Sequence, residues 1–166
     1  TDARVMAWIF DTYSMNKGHS VLGVVTGKPL SVGGSLGRPE ATARGALYCI
    51  QAMSVKQGKR ISEYSVAIQG FGNVGANLAR LIHEEGAKVV AVSDSRSGAY
   101  NADGIDVPAA LAHKQERGTL EGLANAERVT NEELVELPCD ILAPCALEQV
   151  ITEENADRIK AGVICE

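Results

Sequence analysis

The chain has 166 residues and lacks several features that mark specialised classes of protein. Lys and Arg are outnumbered by Asp and Glu, 16 to 21, and they are scattered, so the basic patch that nucleic acids require is missing. The longest apolar runs, such as residues 87–92, are far too short to cross a membrane. We therefore expect neither a nucleic acid nor a membrane among its partners.

Cysteine and histidine are few, and their spacing is not that of a metal site. No Cys-x-x-Cys pair occurs, and no histidine lies at ligand spacing from a cysteine or at recognisable spacing from a nucleophile. A domain of this size does not need disulfide bonds, so we expect reduced, mostly buried thiols in a cytoplasmic protein. The cysteines are Cys49, Cys139, Cys145 and Cys165; for the histidines, His19, His83 and His113, we predict structural or surface positions without a catalytic role.

The composition itself, with 45% apolar and 22% charged residues, is typical of one soluble globular domain. The middle of the chain contains a strand–turn–helix–strand unit. Residues 64–69 and 88–93 are short apolar strands, and the glycine-rich turn 70–75 is followed by a helical stripe that ends near Gly86. This is the length that a parallel crossover requires.

Further strands and helices alternate after this unit. We predict strands at 140–143 and 162–165, a helix at 106–117, a capping box at Thr130 and Glu133, and a helix from about residue 152. This alternation favours an α/β fold of the Rossmann type, doubly wound, with a mostly parallel sheet and helices on both faces.

The first third of the chain lacks this alternation of strands and helices. Residues 2–16 have helical periodicity, residues 18–38 form a loop that contains six glycines, and a second helix starts at Pro39 and runs to about residue 56. The loop also carries several apolar residues, so we do not interpret it as a flexible tether.

The turn 70–75 matches the G-x-G-x-x-G pattern of dinucleotide-binding folds, with a strand before it and a helix after it. Gly70 permits the tight turn, Gly72 lets a pyrophosphate approach the backbone, and Gly75 lets the helix pack closely on the sheet. The start of the helix offers unpaired N–H groups to the anion. The predicted binding residues are Gly70, Phe71, Gly72, Asn73, Val74 and Gly75; a glycine turn without a ligand is the alternative.

Asp94 follows the second strand, 19 residues after Gly75. A carboxylate at this position accepts hydrogen bonds from the adenosine ribose and repels the 2′-phosphate of NADP, which favours NAD. Ser93, Ser95 and Arg96 could hold a phosphate if Asp94 turned away, so NADP and dual use stay open. Ser93, Asp94 and Ser95 are therefore candidate cofactor-binding residues.

A more specific signal lies in residues 26–29 (TGKP) and 33–45 (GGSLGRPEATARG). This segment closely resembles the signature of glutamate dehydrogenases, whereas relatives that act on leucine or phenylalanine have a different loop. Further segments resemble the family at residues 6–13, 68–75, 140–147, 151–156 and 159–161, so the resemblance extends over essentially the whole chain.

The resemblance implies that a hydride moves from Cα of glutamate to the nicotinamide ring, after which the imine is hydrolysed to 2-oxoglutarate and ammonia. Arg38 and Thr42 match residues that hold the nicotinamide carboxamide and so orient the ring. Asn73 matches a residue that contacts the cofactor, and Ala143 and Cys145 lie in a matching segment near the nicotinamide. Cys145 departs from the alanine that is common in the family.

Structural roles without cofactor contact remain as alternatives for three of these residues. Arg38 could form an interface salt bridge or start a helix, Thr42 could bond back to its own helix, and Asn73 could be a plain helix cap.

The resemblance also implies that the catalytic lysine and aspartate lie upstream of Thr1, so that this chain has no catalytic residue. The chain begins without Met and stops in an apolar strand at 163–166, and we expect it to be a fragment. It should bind a dinucleotide without turning over glutamate. The full-length protein is expected to be a homo-oligomer, usually a hexamer in this family.

We accordingly expect residues 1–166 to form a single dinucleotide-binding domain. Residues 1–17 would be a helix on the hinge side, 18–60 a loop and helix facing the missing catalytic domain, and 61–166 the Rossmann core. Two other functions stay open: a non-catalytic module that binds or senses a dinucleotide on the same fold, and a sister amino-acid dehydrogenase, against which the loop 33–45 argues.

Overall fold

The computed structural model describes residues 2–166, and their contacts divide the chain into two units. The first unit is Thr1–Thr42 and the second is Ala43–Glu166. The division falls inside the segment 18–60 that the sequence assigns to a loop and helix, and the extent of the functional domain stays a prediction.

The first unit contains one long helix, α1 (Ala3–Lys17). It begins after Asp2, whose carboxylate accepts a hydrogen bond from the Val5 N–H at 2.9 Å, and it ends at Gly18 in the left-handed region. The predicted helix over residues 2–16 is thus confirmed. Within the described part of this unit no residue is buried.

The glycine-rich loop after α1 is held in shape by Lys28. Its ammonium group donates to the carbonyl of Leu22 at 2.7 Å and to that of Val25 at 3.0 Å. Short 3₁₀ turns occur at Leu22–Val24, Leu30–Val32 and Arg38–Glu40. The loop is therefore held by short backbone-bonded turns together with the side chain to backbone bonds of Lys28.

The second unit is built on a six-stranded sheet with the order β4-β3-β2-β1-β5-β6. Strands β1, β2, β5 and β6 are parallel, and β3 and β4 extend the sheet in antiparallel fashion beyond β2. The strands are β1 (Ser65–Gln69), β2 (Lys88–Ser93), β3 (Gly98–Tyr100), β4 (Glu127–Val129), β5 (Ile141–Pro144) and β6 (Val163–Ile164). The four predicted strands are the parallel ones, which confirms a mostly parallel sheet.

Four further helices accompany the sheet, α2 (Ala41–Gln57), α3 (Asn73–Glu84), α4 (Val107–Arg117) and α5 (Asn131–Val135). They match the predicted helices closely, and α2 begins directly after the 3₁₀ turn at Arg38–Glu40 and crosses the division between the units. The predicted capping box is present, with the Thr130 hydroxyl accepting from the Glu133 N–H at 3.1 Å and the Glu133 carboxylate accepting from the Thr130 N–H at 2.8 Å.

The helix predicted from about residue 152 is wrong, since the structure has only a 3₁₀ turn at Ala156–Arg158 there. Asn155 explains the difference. Its amide oxygen accepts from the Thr152 N–H and its amide nitrogen donates to the Val150 carbonyl, each at 2.8 Å. These local bonds compete with the hydrogen bonds of a helix.

The hydrophobic core lies on both faces of the sheet, as the alternation along β1 requires. Val66 and Ile68 pack in a cluster with Leu78 and Ile82 of α3. Ala67 belongs to a second cluster, together with Val90, Leu134, Val135 and Leu142, so α5 covers the opposite face. Helices on both faces are thus confirmed, and the carboxyl ends of β1, β2 and β5 are left at one edge of the sheet.

Candidate functional site

The glycine turn joins β1 to α3 at this edge. Gly70 has a φ of 94°, which glycine adopts readily, and a Cβ there would lie 2.8 Å from the Cβ of Ala146. A Cβ on the buried Gly75 would overlap the carbonyl oxygen of Gly70 and approach Cγ2 of Ile68 to 3.2 Å. Both glycines therefore have the steric roles predicted for them, while pyrophosphate binding stays a prediction.

No side chain caps the N-terminus of α3. Gly72 is the N-cap residue and provides no side-chain hydrogen bond, and a Cβ placed on it would meet nothing within 4 Å. Asn73 is the first helical residue rather than the cap, so its alternative role as a plain cap is not seen; its side-chain oxygen accepts from the Asn77 amide at 3.3 Å. The first N–H groups of α3 thus have no side-chain cap.

A cavity of about 480 Å³ lies beside this turn. Six predicted residues line it, namely Gly70, Phe71, Gly72, Asp94, Ser95 and Cys145. The other lining residues were not predicted: Gln69, Lys114, Asn131, Ala146 and Leu147. Asn73, Val74, Gly75, Ser93 and Ala143 lie in the adjoining turn and strands and do not line the cavity.

The Asp94 carboxylate is buried and fully engaged. Oδ1 accepts from the N–H groups of Arg96 at 2.8 Å and Ser97 at 3.0 Å. Oδ2 accepts from the Leu120 N–H at 2.8 Å and from the Lys114 ammonium at 2.6 Å. These donors occupy the roughly four lone-pair positions of a carboxylate, so ribose recognition by Asp94, which stays a prediction, requires that a donor be displaced.

The same hydrogen bonds determine the protonation state of the Asp94 carboxyl group. Burial raises the pKa of the Asp94 carboxyl, but the hydrogen bonds from Lys114 and from the surrounding N–H groups lower the pKa to about 2. Asp94 is therefore ionised at neutral pH and is paired with the cation of Lys114, whose side chain is 27% exposed.

Ser93 is also engaged inside the protein. Its hydroxyl accepts from the Gly70 N–H at 3.3 Å and donates to the Asn131 side-chain oxygen at 2.6 Å. The Asn131 amide nitrogen in turn donates to the Asp94 carbonyl at 3.0 Å. This chain of bonds ties the glycine turn to the loop after β2, and it leaves the buried Ser93 hydroxyl without a free position for a phosphate.

The loop after β5 borders the cavity on the other side. Ala143 is buried in β5, and the Cys145 N–H donates to the Gln69 carbonyl at 2.7 Å. Burial raises the pKa of the Cys145 thiol to about 11. The thiol is therefore protonated at neutral pH and suits a space-filling role better than a nucleophilic one.

Arg38 and Thr42 belong to the first unit. Arg38 is exposed and opens the 3₁₀ turn before α2, and Thr42 is exposed in the first turn of that helix. Their proposed contact with the nicotinamide carboxamide stays a prediction.

Among residues 2–166, no group of three or more His, Cys, Asp or Glu side chains is placed to hold a metal ion. No helix in that range is long and apolar enough to cross a membrane.

Some of the cavity-lining residues that were not predicted could have been found from the sequence, and others could not. Gln69 is a polar residue at the end of a buried strand, directly before the glycine turn, which is a usable signal. Lys114 and Asn131 lie on α4 and α5, 20 and 37 residues from Asp94, and nothing in their local sequence points to the cavity.

A mostly parallel sheet with this glycine turn after β1 and an acidic residue after β2 defines a Rossmann-type α/β protein. The sequence profile of the Glutamate/Leucine/Phenylalanine/Valine dehydrogenase family matches residues 33–166. The chain belongs to this family.

Individual relatives agree with this assignment. A glutamate dehydrogenase of Thermotoga maritima is 54% identical over 167 residues, which cover 100% of this chain and 40% of the relative. The solved structure of a hetero-hexameric glutamate dehydrogenase from Thermus thermophilus (Leu-bound form) matches with a TM-score of 0.90 and 38% identity, covering 99% of this chain and 39% of that one. An L-tryptophan dehydrogenase from Nostoc punctiforme matches with a TM-score of 0.53 and 32% identity, over 75% of this chain and 33% of that one. The resemblance to glutamate dehydrogenases is thus confirmed, and the chain spans about 40% of the length of such relatives.

Proposed function

We propose that this chain is the NAD(P)-binding part of a glutamate dehydrogenase. In the full-length protein it would serve the oxidative deamination of L-glutamate to 2-oxoglutarate and ammonia. The observation that carries the proposal is the cavity between the glycine turn, the loop after β2 that contains Asp94 and the loop after β5 that contains Cys145. Its position at the carboxyl ends of the parallel strands supports a dinucleotide as the ligand.

The residues present fit such a ligand. The uncapped N–H groups at the start of α3 and the absence of a side chain on Gly72 suit a pyrophosphate. The adenosine half would lie toward Asp94 and Ser95, and the nicotinamide half toward Ala143 and Cys145. This assignment follows the order of the strands, with β2 on one side of β1 and β5 on the other.

The task of this chain in the reaction would be positioning. The nicotinamide, when bound, would accept the hydride from Cα of glutamate. Arg38 and Thr42 would hold its carboxamide and thereby decide which face of the ring meets the substrate. The catalytic lysine and aspartate would come from the part of the enzyme outside residues 1–166, and the full-length protein would assemble as a homo-oligomer, by expectation a hexamer.

Glutamate is the proposed substrate because of the relatives. Glutamate dehydrogenases match over 99% or more of this chain, whereas the tryptophan dehydrogenase matches over 75%. The segment 33–45, which includes Arg38 and Thr42, lies within the residues that the family profile matches.

The preferred cofactor follows from Asp94. Four hydrogen bonds hold its carboxylate in place, so turning it away to admit a 2′-phosphate is costly, and this supports NAD. The ammonium of Lys114 offsets the negative charge, so NADP should bind more weakly than NAD but still bind.

Fluorescence titration of the 166-residue chain with NADH and NADPH tests the proposal. We expect saturable binding of NADH, weaker binding of NADPH, and no glutamate-dependent reduction of NAD. Failure of both cofactors to bind the folded chain would overturn the proposal.

A further inference from the structure

Gln69 ends β1 directly before the glycine turn and is 7% exposed, yet its side-chain oxygen accepts no hydrogen bond within residues 2–166. Among residues 2–166, its Oε1 is the buried side-chain polar atom that has no hydrogen-bond partner. Buried polar atoms in native proteins are nearly always paired, so an orphan atom beside a cavity points to a ligand.

The polar side chains on this part of the sheet are bonded to groups other than Gln69. Gln69 is two residues from Ala67 along β1 and pairs with Ser93 of β2, so it shares the sheet face that α5 covers. Ser93 and Asn131, which lie beside it, bond to one another and to the backbone of Gly70 and Asp94. The Ser93 hydroxyl proton and one N–H of the Asn131 amide are therefore committed.

The position of Gln69 limits which chemical group can donate a hydrogen bond to its side-chain oxygen. Its strand is central, with Ser93 as its Cα partner on one side and Pro144 on the other, and Gln69 itself lines the cavity. A dinucleotide that crosses this edge has its pyrophosphate at the glycine turn and a ribose on either side. A carboxamide oxygen only accepts hydrogen bonds, and a phosphate oxygen at neutral pH has no proton to donate, so the partner must carry an O–H or N–H group.

We infer that Gln69 is a cofactor-contacting residue whose side-chain oxygen accepts a hydrogen bond from a ribose hydroxyl of the bound dinucleotide. This inference rests on the proposed function. It adds a residue before the glycine turn to the predicted cofactor-binding residues of the turn itself and of the loops after β2 and β5.

The test is Gln69→Met, which keeps the length of the side chain and removes its polar atoms. The matched control is Gln115→Met, at an exposed position of α4. We would measure the Kd of each protein for NADH and for ADP-ribose, which retains both riboses and lacks the nicotinamide, together with the melting temperature of the ligand-free protein.

We expect Gln69→Met to weaken both ligands by roughly ten-fold, the effect of losing about one hydrogen bond. Its melting temperature should equal or exceed that of the wild type, because an unpaired buried polar group has been removed. Gln115→Met should match the wild type in every measurement.

Other results would overturn the inference. NADH binding to Gln69→Met with the wild-type Kd would show that Gln69 does not contact the ligand. Weaker NADH binding with unchanged ADP-ribose binding would move the contact away from the ribose. If Gln69→Met and Gln69→Leu both melted well below the wild type, the side chain would be satisfied in the free protein. If the wild type itself bound neither ligand, the proposed function would fail, and the inference with it.

Discussion

The ammonium of Lys114 lies 2.6 Å from Oδ2 of Asp94, so the acidic residue after β2 carries its own counter-ion at the edge of the cavity. Asp94 is 6% exposed and also accepts three backbone hydrogen bonds. Lys114 reaches it from the last turn of α4. The carboxylate therefore braces the loop after β2 in addition to any contact with a cofactor.

Acid should weaken the fold through Asp94. Because the folded-state pKa of its carboxyl is lowered from 3.8 to about 2, its contribution is complete above about pH 4 and is lost as the pH falls toward 2. The contribution amounts to about 2 kcal/mol. Urea unfolding at pH 7 and at several values between 4 and 2 would measure it. In Asp94→Asn this part of the pH dependence should be missing, whereas the exposed Asp103→Asn should retain it; parallel curves for wild type and Asp94→Asn would contradict the prediction.

Loss of Lys114 should change the choice of cofactor. In Lys114→Met the charge of Asp94 has no counter-ion, and an uncompensated carboxylate repels a 2′-phosphate more strongly than a ribose hydroxyl. We expect the Kd for NADPH to rise at least several-fold more than that for NADH. Titration of both cofactors provides the measurement, and Lys56→Met removes the same charge from an exposed position of α2 as a control. An equal loss for both cofactors would show that Lys114 does not discriminate between them.

Two alanine substitutions in the glycine turn should have opposite consequences. Gly75→Ala forces a methyl group into the Gly70 carbonyl oxygen, and we expect it to cost about 1–3 kcal/mol or more of the free energy of unfolding. Gly72→Ala meets no protein atom within 4 Å, so it should fold normally. Its methyl group would occupy the space expected for the pyrophosphate, and NADH binding should fall at least ten-fold.

Denaturant unfolding and NADH titration on both variants separate these effects. A Gly72→Ala protein that binds NADH as the wild type does would contradict the placement of the pyrophosphate. A Gly75→Ala protein of unchanged stability would contradict the close packing of α3 on β1.

The cysteines should differ widely in their reaction with a thiol reagent. Burial raises the pKa of the Cys139 and Cys145 thiols to about 11, so at pH 8 only about one in a thousand of each is the reactive thiolate. Cys49 is exposed. We expect one fast-reacting thiol in the native chain at pH 8, and this phase should disappear in Cys49→Ser. A fast reaction that persists in that variant would contradict the burial of the other thiols.

Several features were accessible from local sequence because they depend on local physics. The apolar strands at 65–69 and 88–93, the periodic stripe of α3 and the capping box at Thr130 each reveal themselves within a few residues. The short antiparallel strands β3 and β4 were not predicted, since each has three residues, too few for an alternating pattern. The helix expected from about residue 152 was wrong, because the side chain of Asn155 competes for the same backbone groups.

The glycine turn and the family signature at 33–45 could be read from the order of residues alone, because glycine sterics and the turn from strand to helix act within about ten residues. The hydrogen-bond partners of Asp94, Ser93 and Gln69 could not be predicted in this way. Whether each polar group is free for a ligand depends on hydrogen-bond partners that the fold brings from 20 to 38 positions away, such as Lys114 and Asn131. Tertiary structure therefore decided that the Asp94 carboxylate is engaged within the protein and that, among residues 2–166, the Gln69 side-chain oxygen has no hydrogen-bond partner.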